Sequence, residues 1–464
     1  MDHLEFLSYP SGKSERKRHI VIVGAGIIGV CTAYYLTKHP NFNPATHHIT
    51  ILESKRVAGG ASGKAGGLLA MWAFPQQIVP LSFQLHQDLS DEYQGEENWD
   101  YRRLTTVSLE ADVQNVKDDD DAPSSAPSTT YNLKVPPPKK KKKKMAPASA
   151  DTNSSEADYE DHDDIDMELE SNEIDAGNGS SPTTLPHDLN WIRTNLVKDW
   201  SSLGGTDSTA QVHPYKFTHF LLLKAMESGA VDLILGKVTQ LQFDDLGCAA
   251  GVSYVPTLDD EEAQKKAQEV HIHDAQQVVL CMGPWTSRIL PDCPISGLRA
   301  HSITIKPSTG TVSPYAIFTE LKVDNNKYFS PEMYARKDEV YVCGEGDTLV
   351  ELPETTDAVQ VVREKCDELY HYVSKLSPNL SRGHILKRQA CYLPVLNVPT
   401  SSGPLIGETN VEGLFVASGH SCWGINNAPG TGKIMSELLL EGEAKSADIS
   451  ALDPGLYFDA SAFE

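Results

Sequence analysis

The 464-residue chain predicts an α/β fold in two parts: a Rossmann-like dinucleotide-binding domain and a second domain built on a large, mostly antiparallel sheet. Three observations predict it. Ile20–Val23 is a short apolar run followed by Gly24, Gly26 and Gly29 in G-x-G-x-x-G spacing, the pattern of a buried parallel strand turning into a helix. A length of 464 residues exceeds what one core usually holds, so two domains or more are expected. Between Ile295 and Val395, alternating and β-branched runs recur between turns, as in an antiparallel sheet.

Each glycine of the first turn has its own requirement. Gly24 permits the tight bend, Gly26 lets backbone approach a pyrophosphate, and Gly29 lets the helix lie close on the strand. The helix N-terminus, with Ile27 and Ile28 in its first turn, offers free N–H groups to phosphate. Pro40 stops the helix at His39, because the residue before a proline avoids helical geometry. A second strand begins at His48 and ends at Glu53, placed to accept hydrogen bonds from an adenosine ribose. Strand, glycines, helix, strand and acid in this order point to a dinucleotide. NAD and FAD share the unit, so both stand at this stage; a glycine turn in another α/β protein is the plain alternative.

Residues 54–69 follow with five glycines, a run able to thread past a flat ligand or to form a flexible loop. Trp72, a helix over Leu81–Tyr93 and a strand over Leu104–Leu109 begin the second domain. Composition then changes across 112–186. Between Asp118 and Asp175, 16 acidic residues accompany 7 lysines with almost no aromatic side chains. Such a segment buries too little surface to offset its ordering entropy. It is predicted to be a disordered insertion, outside any active site and the natural place for protein partners. The Lys139–Lys144 run reads as a solvated linker in preference to a nuclear-import signal.

Beyond it, helices are expected over Asn190–Leu203 and Phe217–Ser228, and strands over Val231–Leu235 and Gly236–Leu241. A buried strand, Val278–Leu280, ends at Gly283, with Pro284 and Trp285 opening a helix. Strands over Ala300–Ile305, Tyr315–Thr319, Lys327–Phe329 and Val340–Gly344 precede a helix over Thr356–Ser374. Arg299, His301, Tyr334 and Arg336 either face a pocket or make ordinary structural pairs. Near the end, a strand over Leu414–Ala417 releases into Gly419, His420 and Gly424 before a helix starting around Ala428–Pro429. The N–H groups of such a helix favour negative charge.

A net charge of −24 argues against nucleic acid and against anionic membrane surfaces. Eight cysteines lack C-x-x-C spacing, which indicates free thiols in a reducing compartment and no metal site. No stretch has the length of a transmembrane helix, Met1–Lys17 has no secretory apolar run and the C-terminus carries no sorting address. A cytoplasmic protein is expected.

Two stretches carry a family resemblance. GASGKAGGLL, Gly60–Leu69, directly after the ribose-binding acid, resembles a signature of the FAD-dependent amino-acid-oxidase superfamily, which includes glycine, sarcosine and D-amino-acid oxidases. G-H-x-x-x-G-I-x-x-A-P-x-x-G, Gly419–Gly432, resembles its C-terminal flavin motif. The resemblance implies FAD bound by Ser54, Ala61, Ser62, Gly63, Gly66, Gly67, Leu68, Val238, Gly283, Trp285, Gly419, His420, Gly424 and Ile425, beside Gly24, Gly26, Ile27, Ile28, Gly29 and Glu53. It further implies a discontinuous FAD-binding domain (18–70, 211–294, 405–445), a substrate domain (71–111, 187–210, 295–404) and oxidation of a small amine or amino-acid-like substrate by hydride transfer to flavin, with O2 as acceptor. Orientation rather than acid–base chemistry carries such catalysis.

Two positions depart from, or complicate, the pattern. Where glycine-oxidase-type members carry a carboxylate-binding arginine before Pro394, this chain has Leu393, which can form no bidentate pair. The catalytic candidates are therefore His420, Arg388, Tyr334 and Arg336, with Arg299 a further substitute for the arginine. Cys391 falls where sarcosine-oxidase-like members attach flavin covalently; a buried inert thiol and non-covalent FAD are the expectation. Within the superfamily the chain is most similar to fungal oxidoreductases linked to endosome-to-Golgi transport. That implies endosome association and, as an alternative function, a flavin-holding scaffold or trafficking protein with weak or no catalysis.

Overall fold

Arg18–Val23 lies inside an eight-stranded sheet whose central five strands are parallel, in the order Val231–Phe243, His47–Glu53, Arg18–Val23, Gln277–Leu280, Leu414–Ser418. The computed structural model describes residues 17–116, 185–401 and 403–461. The predicted insertion, apart from its two ends, and the Lys139–Lys144 run lie outside the described residues. Antiparallel strands extend the sheet at both sides: Ala249–Pro256 and Val270–Ile272 at one, Leu405–Glu408 at the other.

Because side chains alternate along a strand, the two faces of Arg18–Val23 enter different cores. Ile20 and Ile22 pack under helix Ile27–Lys38, whereas Val21 and Val23 meet Leu241, Val252 and Leu396. Burial on both faces explains why the strand is continuously apolar. Helix Gly424–Glu441 crosses Ile27–Lys38 at Gly432, where a Cβ would stand 2.6 Å from the Cys31 backbone.

That C-terminal helix contains Pro429 in its interior, so the Ile425 carbonyl four residues earlier receives no N–H from it. Helix Val79–Tyr93 supplies the missing donor: His86 Nε2 donates to the Ile425 carbonyl at 2.9 Å. One turn earlier, Ser82 Oγ donates to the Asn426 carbonyl at 2.7 Å and accepts from the Gly430 N–H at 2.9 Å. Burial pulls the His86 pKa down to about 4, which keeps the ring neutral with its Nε2 proton aimed at that oxygen.

The second sheet runs His384–Leu396, Ile295–Lys306, Val340–Asp347, Glu332–Ala335, Tyr315–Asp324, Thr105–Asp112, Val197–Gly204. All neighbours are antiparallel except Tyr315–Asp324 with Thr105–Asp112. One face, with Val107, Ile303, Ile305, Ile317, Met333, Ala335, Val340 and Val342, packs on helix Arg363–Leu376. The other carries Ala316, Tyr334 and Tyr341, packed with Leu68, Ala70 and Trp423 from the cofactor side.

Several elements differ from expectation. Asn190–Leu203 is a short turn, Thr194–Leu196, and an exposed edge strand, Val197–Gly204. Trp191 and Ile192 enter the second core from irregular backbone, which imitates helical spacing. Val231–Phe243 is one long strand that shifts register between Val238 and Gln240. The predicted helix Thr356–Ser374 is a turn, Thr356–Ala358, and a helix beginning only at Arg363. The C-terminal helix starts at Gly424, ahead of Ala428–Pro429. Strand Thr105–Asp112 and buried Val113 extend into 112–186. Ile78, Phe83, Leu89, Trp99 and Tyr101 join the core of the first sheet rather than the second. Among the described residues no helix is long and apolar enough to cross a membrane.

Candidate functional site

A cavity of about 440 Å³ opens along the C-terminal ends of the central parallel strands, the edge where open α/β sheets bind ligands. Its lining brings together residues far apart in the sequence. From Val231–Phe243 come Gly236, Val238 and Thr239; from the end of His47–Glu53 come Glu53 and Ser54; from the first turn come Gly24, Gly26, Ile27 and Ile28. Ala61 and Ser62, then Gly283 and Trp285, continue the wall, and His420, Gly424 and Ile425 close it beside Leu393 and Pro394.

The first turn is built as its glycines require. Gly24 has φ +106°, and a Cβ there would stand 2.4 Å from the Cys281 carbonyl oxygen. Glu53, 8% exposed, accepts from the Ala25 N–H with one oxygen and from the Lys55 N–H and Ser54 hydroxyl with the other, all at 3.0–3.1 Å. It thereby ties the end of the second strand to the glycine turn, and burial raises its pKa against the pull of those bonds. Ser62 Oγ accepts from the Ile27 N–H at 2.9 Å, so its own proton is free to be donated into the cavity.

Trp285 Nε1 donates to the Pro353 carbonyl at 2.7 Å, and Arg288 donates to the Leu352 carbonyl at 2.7 Å. Lys237 and Arg288 both pair with Glu354. The 352–354 segment is therefore held against the middle of the strand that carries Lys237 and Val238. At the other end, His420 is 2% exposed, its Nε2 meets Thr431 Oγ1 at 3.1 Å, and its Nδ1 has no partner among the described residues. Burial pulls its pKa down to about 3.

Six expected cofactor residues do not line the cavity: Gly29, Gly63, Gly66, Gly67, Leu68 and Gly419. Gly29 packs on the Gly24 carbonyl and Gly66 on the rings of Tyr334 and Tyr341, while Leu68 begins strand Leu68–Ala70. Of the catalytic candidates, His420 alone lines it. Arg388 pairs opposite Ile303, on the face turned to helix Arg363–Leu376, and reaches Asp367 at 2.6 Å. Arg336 pairs with Glu339 and donates to the carbonyls of Ala65 and Gly66. Arg299 pairs with Asp347 at 2.9 Å. Tyr334 is buried in the aromatic layer and donates to Glu332. Residues 59, 237, 354 and 356, together with Cys422, also line the cavity. No sequence motif marks 354 and 356, because strand pairing and loop packing bring them in.

An extended dinucleotide fits these residues. Gly283 has φ +55° with nothing within 4 Å of where a Cβ would stand, a cradle that any side chain would fill. His420 Nδ1 and Thr356 Oγ1 are buried, lack partners among the described residues and belong to lining residues. Among the described residues no group of three or more His, Cys, Asp or Glu is placed to hold a metal ion. The eight cysteines are free, and Cys391 is buried, with its thiol pushed up to about 11 by burial.

A family model described as FAD dependent oxidoreductase matches residues 19–438. TDA3 of Saccharomyces cerevisiae, an oxidoreductase by name, is 59% identical over 516 residues, covering 99% of this chain and 98% of its own. C1F5.03c of Schizosaccharomyces pombe, also an oxidoreductase by name, is 34% identical over 444 residues, covering 94% of this chain and 98% of its own. Among solved structures, iminodiacetate oxidase from Chelativorans sp. BNC1 superposes with a TM-score of 0.61 at 16% identity, over 94% of this chain and 98% of that one, a likeness of fold. The chain belongs to the FAD-dependent oxidoreductase family, within the amino-acid-oxidase superfamily.

Proposed function

We propose that the chain oxidises a small amine or amino-acid-like donor at a C–H next to nitrogen, with FAD held non-covalently in the cavity described above. The observation that carries this reading is the single cavity running from Glu53, past the Gly24–Ile28 turn, to Gly424 and Leu393. When bound, FAD supplies the two-electron acceptor, which O2 reoxidises.

The chain's own residues bind and orient. Glu53 would face the ribose, while the Gly26 and Ile28 N–H groups, the Ser62 hydroxyl and the Gly283 cradle would receive the pyrophosphate. The backbone at Val238 borders the adenine. At the far end the first turn of Gly424–Glu441 directs its N–H groups toward the cavity, where they favour negative charge. His420, neutral through burial, offers an imidazole nitrogen there. Apolar Leu393 and Ile425 exclude water from the reacting end. Non-covalent attachment is supported by Cys391, which does not line the cavity and whose thiol burial keeps protonated.

Purified full-length protein should show flavin absorbance and release FAD into the supernatant on denaturation. An anaerobic panel of amines, N-methyl amino acids and D-amino acids should include a donor that bleaches the flavin. Protein without flavin refutes the reading. Flavin that no donor bleaches favours the scaffold or trafficking alternative, and flavin left on the denatured chain refutes non-covalent binding.

A further inference from the structure

Between strand Val340–Asp347 and helix Arg363–Leu376, residues 348–362 form a strap whose one regular element is the turn Thr356–Ala358. A connection this long with so little structure of its own is uncommon in a compact domain outside binding loops and lids. Its two roots are pinned by buried Arg299, His301 and Tyr392. Asp347 holds Arg299 and accepts from Lys365 Nζ at 2.6 Å and from the Leu349 N–H at 3.2 Å. The Tyr392 hydroxyl donates to the Val350 and Glu351 carbonyls, each at 3.1 Å. At the far root, His301 Nε2 accepts from the Val362 N–H at 3.0 Å.

The tip is attached differently. Glu354 pairs with Lys237 and Arg288, and Asp357 pairs with Arg56 at 3.0 Å. These five side chains are 45–66% exposed, so each pair is weak singly and screened by salt. The Leu352 and Pro353 carbonyls add the hydrogen bonds from Arg288 and Trp285 given above. All of these contacts run to elements around Glu53: Arg56 follows the second strand, Lys237 adjoins Val238, and Trp285 and Arg288 follow Gly283. Thr356 sits against the glycine loop, where a Cβ on Gly59 would stand 2.8 Å from its Oγ1. Glu354 and Thr356 line the cavity together with Glu53, Gly59, Lys237 and Val238. The tip is thus a wall of the cavity at the end that contains Glu53, with buried roots and an exposed clasp.

Resting on the placement of FAD proposed above, we infer that residues 352–357 are a gate for the cofactor: FAD enters and leaves when Glu354 and Asp357 release their cations, and the pinned roots bring the strap back. The clasp joins protein to protein, so it closes the empty and the loaded site alike. Loosening it speeds passage in both directions and leaves affinity nearly unchanged, whereas losing a direct contact to FAD speeds release alone.

The test measures FAD release from the full-length holoprotein and FAD uptake by the same protein after the flavin is removed, both followed by flavin fluorescence. Glu354→Gln leaves Lys237 and Arg288 without their acid and should speed release and uptake each by about threefold to tenfold, the fold-change that two exposed pairs carry, with Kd within about twofold of the wild type. Glu351→Gln removes an exposed charge of the same strap outside the clasp and should change neither rate by more than about twofold. Raising NaCl from about 0.05 M to about 0.5 M should speed both rates in the wild type, and speed them less in Glu354→Gln. Faster release with unchanged or slower uptake would make Glu354 a direct contact of FAD and overturns the gate. Wild-type rates indifferent to salt overturn it too, as does a Glu351→Gln protein that behaves like Glu354→Gln. The salt series on the wild type decides even if a variant fails to fold. Unchanged rates in a protein whose flavin a donor bleaches overturn the gate alone, and a gate found in protein that no donor bleaches refutes the oxidase reading alone.

Discussion

Replacing His86 with Phe tests the repair of the Pro429 gap. The ring keeps its volume and its packing on Phe217, whose centroid lies 5.0 Å away. His86 Nδ1 has no partner among the described residues, so the substitution removes one hydrogen bond, the one from Nε2 to the Ile425 carbonyl. Because Pro429 has no N–H, that buried carbonyl is left unsatisfied, at a cost of about 1–3 kcal/mol. Pro429→Ala supplies the missing donor from within the helix. The double variant should therefore recover most of what His86→Phe loses, a coupling of about 1–3 kcal/mol. Urea and thermal unfolding of the four FAD-loaded proteins in this cycle measure it. Additive effects, or a His86→Phe protein as stable as the wild type, would refute the assignment of His86 as donor.

Gly283→Ala adds a Cβ that touches no protein atom but enters the cavity at φ +55°; it should cost about 1–2 kcal/mol in backbone strain and weaken FAD binding far more, read as flavin lost on gel filtration. Equal retention of FAD by the variant would place the pyrophosphate elsewhere. Arg336→Met strips buried donors from the Ala65 and Gly66 carbonyls and breaks a pair with Glu339, so unfolding free energy should fall by about 3–5 kcal/mol, and a loss under about 1 kcal/mol in urea unfolding would contradict it. Acid should also destabilise the fold. His86, His213 and His420 are held neutral, at about 4, 3 and 3. The unfolded chain then binds more protons below the ordinary histidine value near 6.5, and stability present above that pH is lost as pH falls toward 4, by about 2 kcal/mol per histidine at pH 5. Glu53 and Glu332, raised by burial, act in the opposite sense, so a fall between pH 7 and 5 smaller than the three-histidine sum is expected, and stability that rises over that range would refute the neutral histidines.

The cofactor side was largely legible because its demands are local. Gly24 must bend where a strand meets a helix, and Glu53 must close the neighbouring strand, whatever the rest of the chain does. Gly66 marks the limit of such reading. Its sequence context says that no side chain fits there, yet the crowding atoms are the rings of Tyr334 and Tyr341, not a ligand. The helix start was displaced for a related reason. A proline suits the first turn of a helix, which points to Ala428–Pro429, but Gly424–Glu441 accommodates Pro429 inside because His86, 339 residues earlier, supplies a donor to Ile425. No local pattern announces a repair at that separation.

Arg388 and Leu393 carry the same lesson into the substrate side. They stand in one strand, an odd number of residues apart, so the pleat sends their side chains to opposite faces. Register with Ile295–Lys306 decides which face is which: Arg388 goes with Ile303 to the helix, and Leu393 goes with Leu298 and lines the cavity. The backbone pairing at Leu393 is indifferent to whether leucine or arginine stands there. Recognition of the donor can thus change without disturbing the sheet, while Gly24 and the Gly432 crossing cannot change without moving backbone. This difference in physical constraint explains why the family's cofactor is carried to this chain by its motifs and its donor is not.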